Sequence, residues 1–154
     1  MSEYAGAFNK EFLNRTKNII ETYTGEYEAT LLLNCTLALI CLPIEKLIND
    51  NYEIINQVYS KLEELKIPIT LKTDLSKEPE NNYMIIKALR NGIAHLGIDA
   101  VNADKKLSAF IITGTTENFK KKYEFYFTLE KLRKFCDEML NIYLKYAKSK
   151  KRKF

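Results

Sequence analysis

The side chains best suited to chemistry in this 154-residue sequence are Arg90 and His95, which lie five positions apart. His95 is the only histidine in the chain, and imidazole readily gives and takes a proton near neutral pH. Arginine carries a planar, charged fork that binds phosphate oxygens through two hydrogen bonds. The pair therefore suits stabilisation of a phosphoryl transition state beside a general acid or base. The alternative is that a lone histidine on a helix is structural or simply exposed.

A predicted helix from about Asn82 to Leu96 carries this pair, and Gly97 is expected to act as its C-cap. Apolar residues at helical spacing predict that one face of the helix is buried: Ile86, Leu89, Ile93 and Leu96. Roughly opposite lies a second face of small, partly apolar and polar residues at the same spacing: Met84, Ala88, Asn91 and His95.

This second face lacks the Lys and Glu residues that a solvent-facing helix surface normally carries. Two explanations stay open: the face forms a cleft or dimer contact with another chain, or the β segments that follow cover it. Asn91 lies four residues before His95, so we expect its amide to orient the imidazole ring through a hydrogen bond.

The remaining segments predict the elements that must position this helix. Apolar periodicity predicts further helices over about 9–23, 26–42, 52–65 and 129–143. Pro43 is expected to end or kink the second of these, with another turn or two over 44–49. The polar segment 70–82 and the segment 114–118 predict a loop and a turn, whereas 98–101, 107–113 and 123–127 predict short strands. The predicted fold is mainly α: an up-and-down bundle of four to five helices with a small antiparallel β insertion before the last helix.

The length fits a single domain, which we place at 1–148, followed by a basic tail over 149–154. The last ten residues hold six of the 24 basic residues and no acid; subtracting these six from the total of +4 leaves residues 1–144 with −2. The tail, with Lys150, Lys151, Arg152 and Lys153, is either an RNA-binding segment or a frayed, solvated terminus.

Several sequence features limit the class of protein: the cysteines, the longest apolar run and the lack of a visible secretory signal. Cys35, Cys41 and Cys136 have no C-x-x-C spacing, so we expect reduced structural thiols in a cytoplasmic protein. With one histidine, no metal site and no cofactor are expected. No secretory signal is visible, and the longest apolar run, 29–42, is shorter than the roughly 20 residues that span a bilayer. Asn34 in this run is either a buried, hydrogen-bonded core residue or part of the cleft wall.

The segment 90–95, Arg-Asn-Gly-Ile-Ala-His, resembles the R-x(4–6)-H signature of the HEPN superfamily, in which Asn, Asp or His commonly follows the arginine. Segment 33–43 and the β segments after the motif are similar to a small single-domain, ribonuclease or toxin-like branch. The resemblance covers about residues 8–145. It implies a metal-independent endoribonuclease in which Arg90 and His95 are catalytic and Asn91 is supporting. Attack by the 2′-OH on its neighbouring phosphate would limit the substrate to RNA.

The resemblance also implies a partner and a biological role. Such proteins usually form homodimers with two motifs in one cleft, and they serve as toxins, antiphage effectors or RNA-processing enzymes. A single histidine per chain favours the dimer as well, because cleavage benefits from one group that takes a proton and one that gives it. Gly92 and Ala94 would matter for their small size.

Control by an antitoxin is one point at which the sequence departs from the family pattern. Members paired with a nucleotidyltransferase antitoxin often carry Tyr two residues after the histidine, and this chain has Gly97 there. An antitoxin or partner protein would therefore act by another route. The alternative function is a non-catalytic HEPN-like module that binds nucleotide, RNA or a protein partner.

Overall fold

The computed structural model describes residues 8–25, 28–47, 52–116 and 120–150. These residues form five helices and four strands, in the order α1 (Phe8–Thr22), α2 (Glu28–Leu47), α3 (Tyr52–Glu64), β1 (Ile69–Asp74), α4 (Asn82–Ala94), β2 (Ile98–Ala103), β3 (Lys106–Thr115), β4 (Lys121–Thr128) and α5 (Leu129–Lys150). The ends of α1, α3 and α4 lie within two residues of those predicted from apolar periodicity. By contrast, α2 continues past Pro43 to Leu47, and α5 extends to Lys150.

The four strands form one antiparallel sheet in the order β1-β4-β3-β2. β4 alternates between buried and more exposed residues, so that Tyr123, Phe125 and Phe127 all point into the core. The β2–β3 hairpin turns through Asp104 and Lys105, both at positive φ (51° and 64°). Positive φ at both central residues is typical of the two-residue hairpin turn that matches strand twist.

The sheet makes the predicted fold class wrong. A helical bundle with a small β insertion before the last helix was expected, whereas the chain combines five helices with a full four-stranded sheet. Strand β1 precedes α4 and lies in a segment mostly predicted as loop; it pairs with β4, with Ile69 opposite Phe125. Because β1 is an edge strand in which all residues after Ile69 are exposed, its sequence carries no alternating apolar pattern.

Helix α4 lies between the other helices and the sheet. It packs on β3 with one side and on α2 and α3 with another, while α5 contacts α1, α2, α3, β3 and β4. The centre of the core joins both layers through fully buried side chains such as Ile86, Leu89, Ile112 and Phe135. The position of α4, held from two sides, fixes the place of Arg90 and His95.

Helix α2 supplies apolar side chains to this core, and the predictions for the cysteines and for Asn34 concern it. Cys35 and, on α5, Cys136 are buried free thiols, as predicted, and Thr36 Oγ1 lies 3.0 Å from Cys136 Sγ. The side chain of Cys41 lies outside the described residues. Asn34 is exposed, so the prediction of a buried core residue is wrong, and its place in a cleft wall stays a prediction. None of the described helices is sufficiently long and apolar to cross a membrane.

Candidate active site

Helix α4 has defined ends at both termini. At its start the side chain of Asn81, in extended conformation, accepts a hydrogen bond from Met84 N–H at 2.8 Å. At its end His95 is the C-cap, and Leu96 takes a left-handed conformation with φ of 56°. Leu96 N–H donates to the Ile93 carbonyl and Gly97 N–H to the Gly92 carbonyl, at 3.2 and 2.7 Å. This is the Schellman pattern. The prediction that Gly97 caps the helix is therefore wrong, because the left-handed position belongs to Leu96.

Glycines allow α4 to approach β3 unusually closely. A Cβ added at Gly92 would lie 2.8 Å from both Ile112 Cγ2 and the Thr113 carbonyl oxygen. A Cβ at Gly114, on β3, would lie 2.7 Å from the carbonyl carbon of Ala88, below any distance that real Cβ atoms show. None of the glycines in the described residues has positive φ, so close packing and not backbone conformation requires glycine here.

This close packing settles how the second face of α4 is used within the chain. Ala88 is fully buried beneath β3, so the sheet covers it and it is unavailable for a dimer contact. Met84 is half-buried, whereas His95 is exposed. Of the two explanations left open by the sequence, coverage by the strands applies to the part of the face at Ala88, and the dimer contact stays a prediction only for the two ends of the face, Met84 and His95.

Asn91 connects Arg90 to the sheet. Its side-chain Nδ2 donates to the carbonyl of Thr115 at 2.8 Å, and its Oδ1 accepts a hydrogen bond of 2.9 Å from Arg90 Nη1. The Thr115 carbonyl therefore sets the rotation of the amide, and the amide oxygen in turn positions the guanidinium. Asn91 was expected to orient the His95 ring, but in the structure its side chain holds Arg90. Arg90 and Asn91 are both half-buried.

His95 stands at the other end of the motif, exposed to solvent. Its backbone N–H donates to the Asn91 carbonyl at 3.0 Å, which ties the residue to the last helical turn. Leu96, beside it, is 78% exposed. An anchored guanidinium and an accessible imidazole thus lie on the last two turns of one helix.

Strand β3 holds two residues of the site that the sequence analysis missed, Gly114 and Thr115. Both fall in a segment predicted as a turn, but β3 continues through them and pairs with Tyr123 and Lys122 of β4. The Gly-Thr-Thr sequence resembles turn chemistry, and only pairing with β4 shows that it is a strand. One signal in the sequence was available. Gly114, Ala88 and Gly92 are all small, as is typical where two backbones approach closely.

Two other predictions concern a metal site and the basic tail. The described residues contain no group of three or more His, Cys, Asp or Glu side chains that could hold a metal ion. Helix α5 ends at Lys150, and the basic residues Lys151, Arg152 and Lys153 lie outside the described residues. The RNA-binding role of this tail stays a prediction.

Comparison with known proteins identifies the family. A family model described as HEPN pEK499 p136 matches residues 1–150, which is nearly the whole chain and includes both Arg90 and His95. No curated protein and no solved structure matches the chain. Since the family model covers all five helices and all four strands, the chain belongs to the HEPN pEK499 p136 family.

Proposed function

We propose that this chain is a metal-independent endoribonuclease that acts as a toxin or antiphage defence effector. Membership of a HEPN family supports a nuclease-type or toxin-type module. The single observation that carries the proposal is the Arg90–Asn91–Thr115 chain of hydrogen bonds, followed by exposed His95 at the helix end. A guanidinium held by the Asn91 amide, which the Thr115 carbonyl holds in turn, on the same helix end as an accessible imidazole, suits phosphoryl chemistry better than it suits packing.

The proposed reaction uses the RNA as its own nucleophile. A histidine takes the proton of a 2′-OH, and O2′ attacks the adjacent phosphorus. The bond from phosphorus to the 5′ oxygen of the next nucleotide breaks, and that oxygen takes a proton. The products are a 2′,3′-cyclic phosphate and a 5′-hydroxyl. Arg90 binds the phosphoryl oxygens while negative charge grows on them. DNA lacks the 2′-OH and would not be cleaved.

His95 and Arg90 have separate roles, and Asn91 is a positioning residue. His95 exchanges the proton because its imidazole can take and give one and because it is the most exposed residue of the segment 90–95. Arg90 supplies the charge, and its Nη1 is oriented by Asn91 Oδ1. Because β3 holds the amide through Thr115, the charge is placed before substrate arrives.

We further propose that two copies share the site around a two-fold axis. Each chain supplies one histidine, whereas the reaction benefits from a group that takes a proton and another that gives it. With Ala88 buried, the axis belongs at the C-terminal end of α4, where His95 and Leu96 are exposed. Leu96 supports this placement because it is a large apolar residue exposed beside the imidazole.

Cleavage of labelled RNA in EDTA tests the activity. Wild type is compared with His95→Ala, Arg90→Ala and the control Lys106→Gln, an exposed residue at the start of β3. We expect each motif variant to lose about 10²- to 10⁴-fold in cleavage rate and the control to match wild type. Cleavage that survives both motif substitutions would refute the site. If wild type cleaves none of a varied set of RNAs, the chain is the non-catalytic, HEPN-like binding module.

Mixing subunits tests the shared site. When wild type and His95→Ala are mixed equally and re-equilibrated, a site that needs both histidines is complete in about one quarter of the dimers. Activity should then fall to about a quarter of that of undiluted wild type. A fall to one half, or a monomer by analytical ultracentrifugation with full activity, would show that each copy acts alone.

A further inference from the structure

A cleft of about 310 Å³ opens beside the first half of α4, one helical turn before the motif. Ser76 lines it from the segment between β1 and α4, Met84 and Lys87 line it from the helix, and Thr116 and Lys120 line it from the ends of β3 and β4. We call it the α4 cleft. Its volume is at the lower end of the range for small-ligand sites, which fits one nucleotide and not a folded RNA.

The charge on the walls of the α4 cleft favours an anion. Among the described residues that line it, the charged side chains are Lys87, Lys120, Lys121 and Glu78. Lys121 is 1% exposed, and its Nζ lies 2.9 Å from Asp74 Oδ2, so this ion pair is neutral as a unit. Over these described lining residues, Lys87 and Lys120 outnumber the carboxylate of Glu78, so their formal charge is positive and favours a negatively charged phosphodiester.

The cleft is continuous with the motif along the helix. Met84, Lys87 and Asn91 follow each other at spacings of three and four and so lie on one side of α4. Thr116 in the cleft wall directly follows Thr115, whose carbonyl holds Asn91. From Lys87 to His95 the helix rises only about 12 Å, so one extended strand can occupy both places.

Resting on the endoribonuclease proposal, we propose that the α4 cleft binds a nucleotide of the single-stranded RNA substrate on one side of the cleavage point. Lys87 and Lys120 contact its phosphodiester, and Asn81 at the cleft edge, whose Oδ1 caps α4, offers its Nδ2 to the sugar or base. The ring of Tyr83, which also lines the cleft, offers a surface on which a base stacks. The cleft thereby holds the RNA strand in place while Arg90 and His95 act on a neighbouring phosphate.

The test measures binding in the full-length His95→Ala background, where the RNA stays intact. The probe is a fluorescein-labelled single-stranded oligoribonucleotide of about 12 nucleotides, followed by anisotropy over a range of salt concentrations. Lys87→Gln/Lys120→Gln is compared with the matched control Lys106→Gln, an exposed lysine at the β2–β3 hairpin. We expect the double variant to bind about tenfold more weakly, with a slope of log K against log salt smaller by about 0.7. The control should keep both values.

Two further variants keep the result interpretable. Lys120→Glu alone reverses the charge of an exposed residue, so it decides the question if the double variant folds poorly by circular dichroism. Tyr83→Ala should lose binding that Tyr83→Phe retains, because stacking needs the ring and not the hydroxyl. Unchanged affinity and salt slope in the lysine variants would overturn the inference, whether or not wild type cleaves RNA.

The remaining outcomes separate this inference from the proposed function. Weaker binding in the lysine variants with cleavage by wild type supports both. Weaker binding without any cleavage by wild type supports the cleft as an RNA site and refutes the endoribonuclease. Adenosine monophosphate serves as a competitor: if it displaces the RNA at concentrations as low as those at which the oligonucleotide binds, the cleft is a site for free nucleotide and the inference is overturned.

Discussion

Replacing Gly114 by alanine should separate α4 from the sheet and so test the architecture of the site. The added Cβ would lie 2.7 Å from the carbonyl carbon of Ala88 and 2.8 Å from the Gly92 amide nitrogen, and closer still to the Ala88 carbonyl oxygen. Ordinary van der Waals contact begins at 3.4 Å, so relief of the contact with the carbonyl carbon alone takes a retreat of about 0.7 Å, and the nearer carbonyl oxygen requires more. Both sides of the clash are backbone, and neither can rotate away.

The expected cost combines two terms. Overpacking of this kind costs about 1–3 kcal/mol. A retreat of 0.7 Å would also stretch the 2.8 Å bond between Asn91 Nδ2 and the Thr115 carbonyl to about 3.5 Å, which forfeits about 1 kcal/mol. We therefore expect Gly114→Ala to lower the free energy of unfolding by about 2–4 kcal/mol.

Urea denaturation followed by circular dichroism measures this loss, with Gly25→Ala as the matched control. The three atoms nearest to a Cβ at Gly25 all belong to the side chain of Tyr23, which can rotate aside, so the stability of Gly25→Ala should be unchanged or slightly raised. Both variants reduce the entropy of the unfolded chain equally, and the difference between them isolates the clash. If Gly114→Ala lies within about 1 kcal/mol of Gly25→Ala, the close approach of α4 to β3 is wrong. Cleavage by Gly114→Ala should fall as well, because Arg90 moves with the helix.

Three further predictions concern single residues. Asn91→Ala should reduce RNA cleavage about ten- to a hundredfold by releasing Arg90 while substrate binding changes little; unchanged cleavage would show that the amide does not position the guanidinium. Burial raises the pKa of the Cys136 thiol to about 12 and also raises that of Cys35, so peptide mapping after iodoacetamide at pH 8 should find both unmodified in native protein and modified in urea; rapid labelling of native protein would contradict their burial. Burial likewise raises the pKa of Asp137, so its contribution to stability is present below the unfolded pKa of about 3.9 and is lost as pH rises through the folded value. Asp137→Asn should raise the urea midpoint at pH 7 more than at pH 4, and an equal change at both pH values would refute the argument.

The helices were predictable because their information is local. Apolar residues at a period of 3.6 place α1, α3 and α4 to within two residues. Burial confirms the predicted apolar face of α4 at Ile86, Leu89 and Ile93, whereas its last member, Leu96, lies past the helix end and is exposed. The chemistry of Arg90 and His95 was also visible, since residue type and spacing suffice to mark the motif. Position along one helix is a property of consecutive residues, and it needs no knowledge of distant parts of the chain.

The sheet was only partly predictable, because pairing partners lie far apart in sequence. The segment of β1 forms a strand because it pairs with β4, which lies more than 45 residues later. Its own residues are mostly exposed and carry no strand pattern. The same holds for Gly114 and Thr115, which look like a turn until Tyr123 and Lys122 are placed opposite them. Propensity is a weak guide when tertiary pairing decides between strand and turn.

The sequence by itself thus determined the family motif, the helix that carries it and the limits of its chemistry: one histidine, one neighbouring arginine and one amide between them. Only the tertiary structure decided what each does. It buries Ala88 beneath β3, turns Asn91 toward Arg90 and away from its expected role with His95, and leaves His95 exposed. The physical reason is that Asn91 has several hydrogen-bond partners within reach, and the carbonyl of Thr115, brought there by a sheet of distant strands, selects among them.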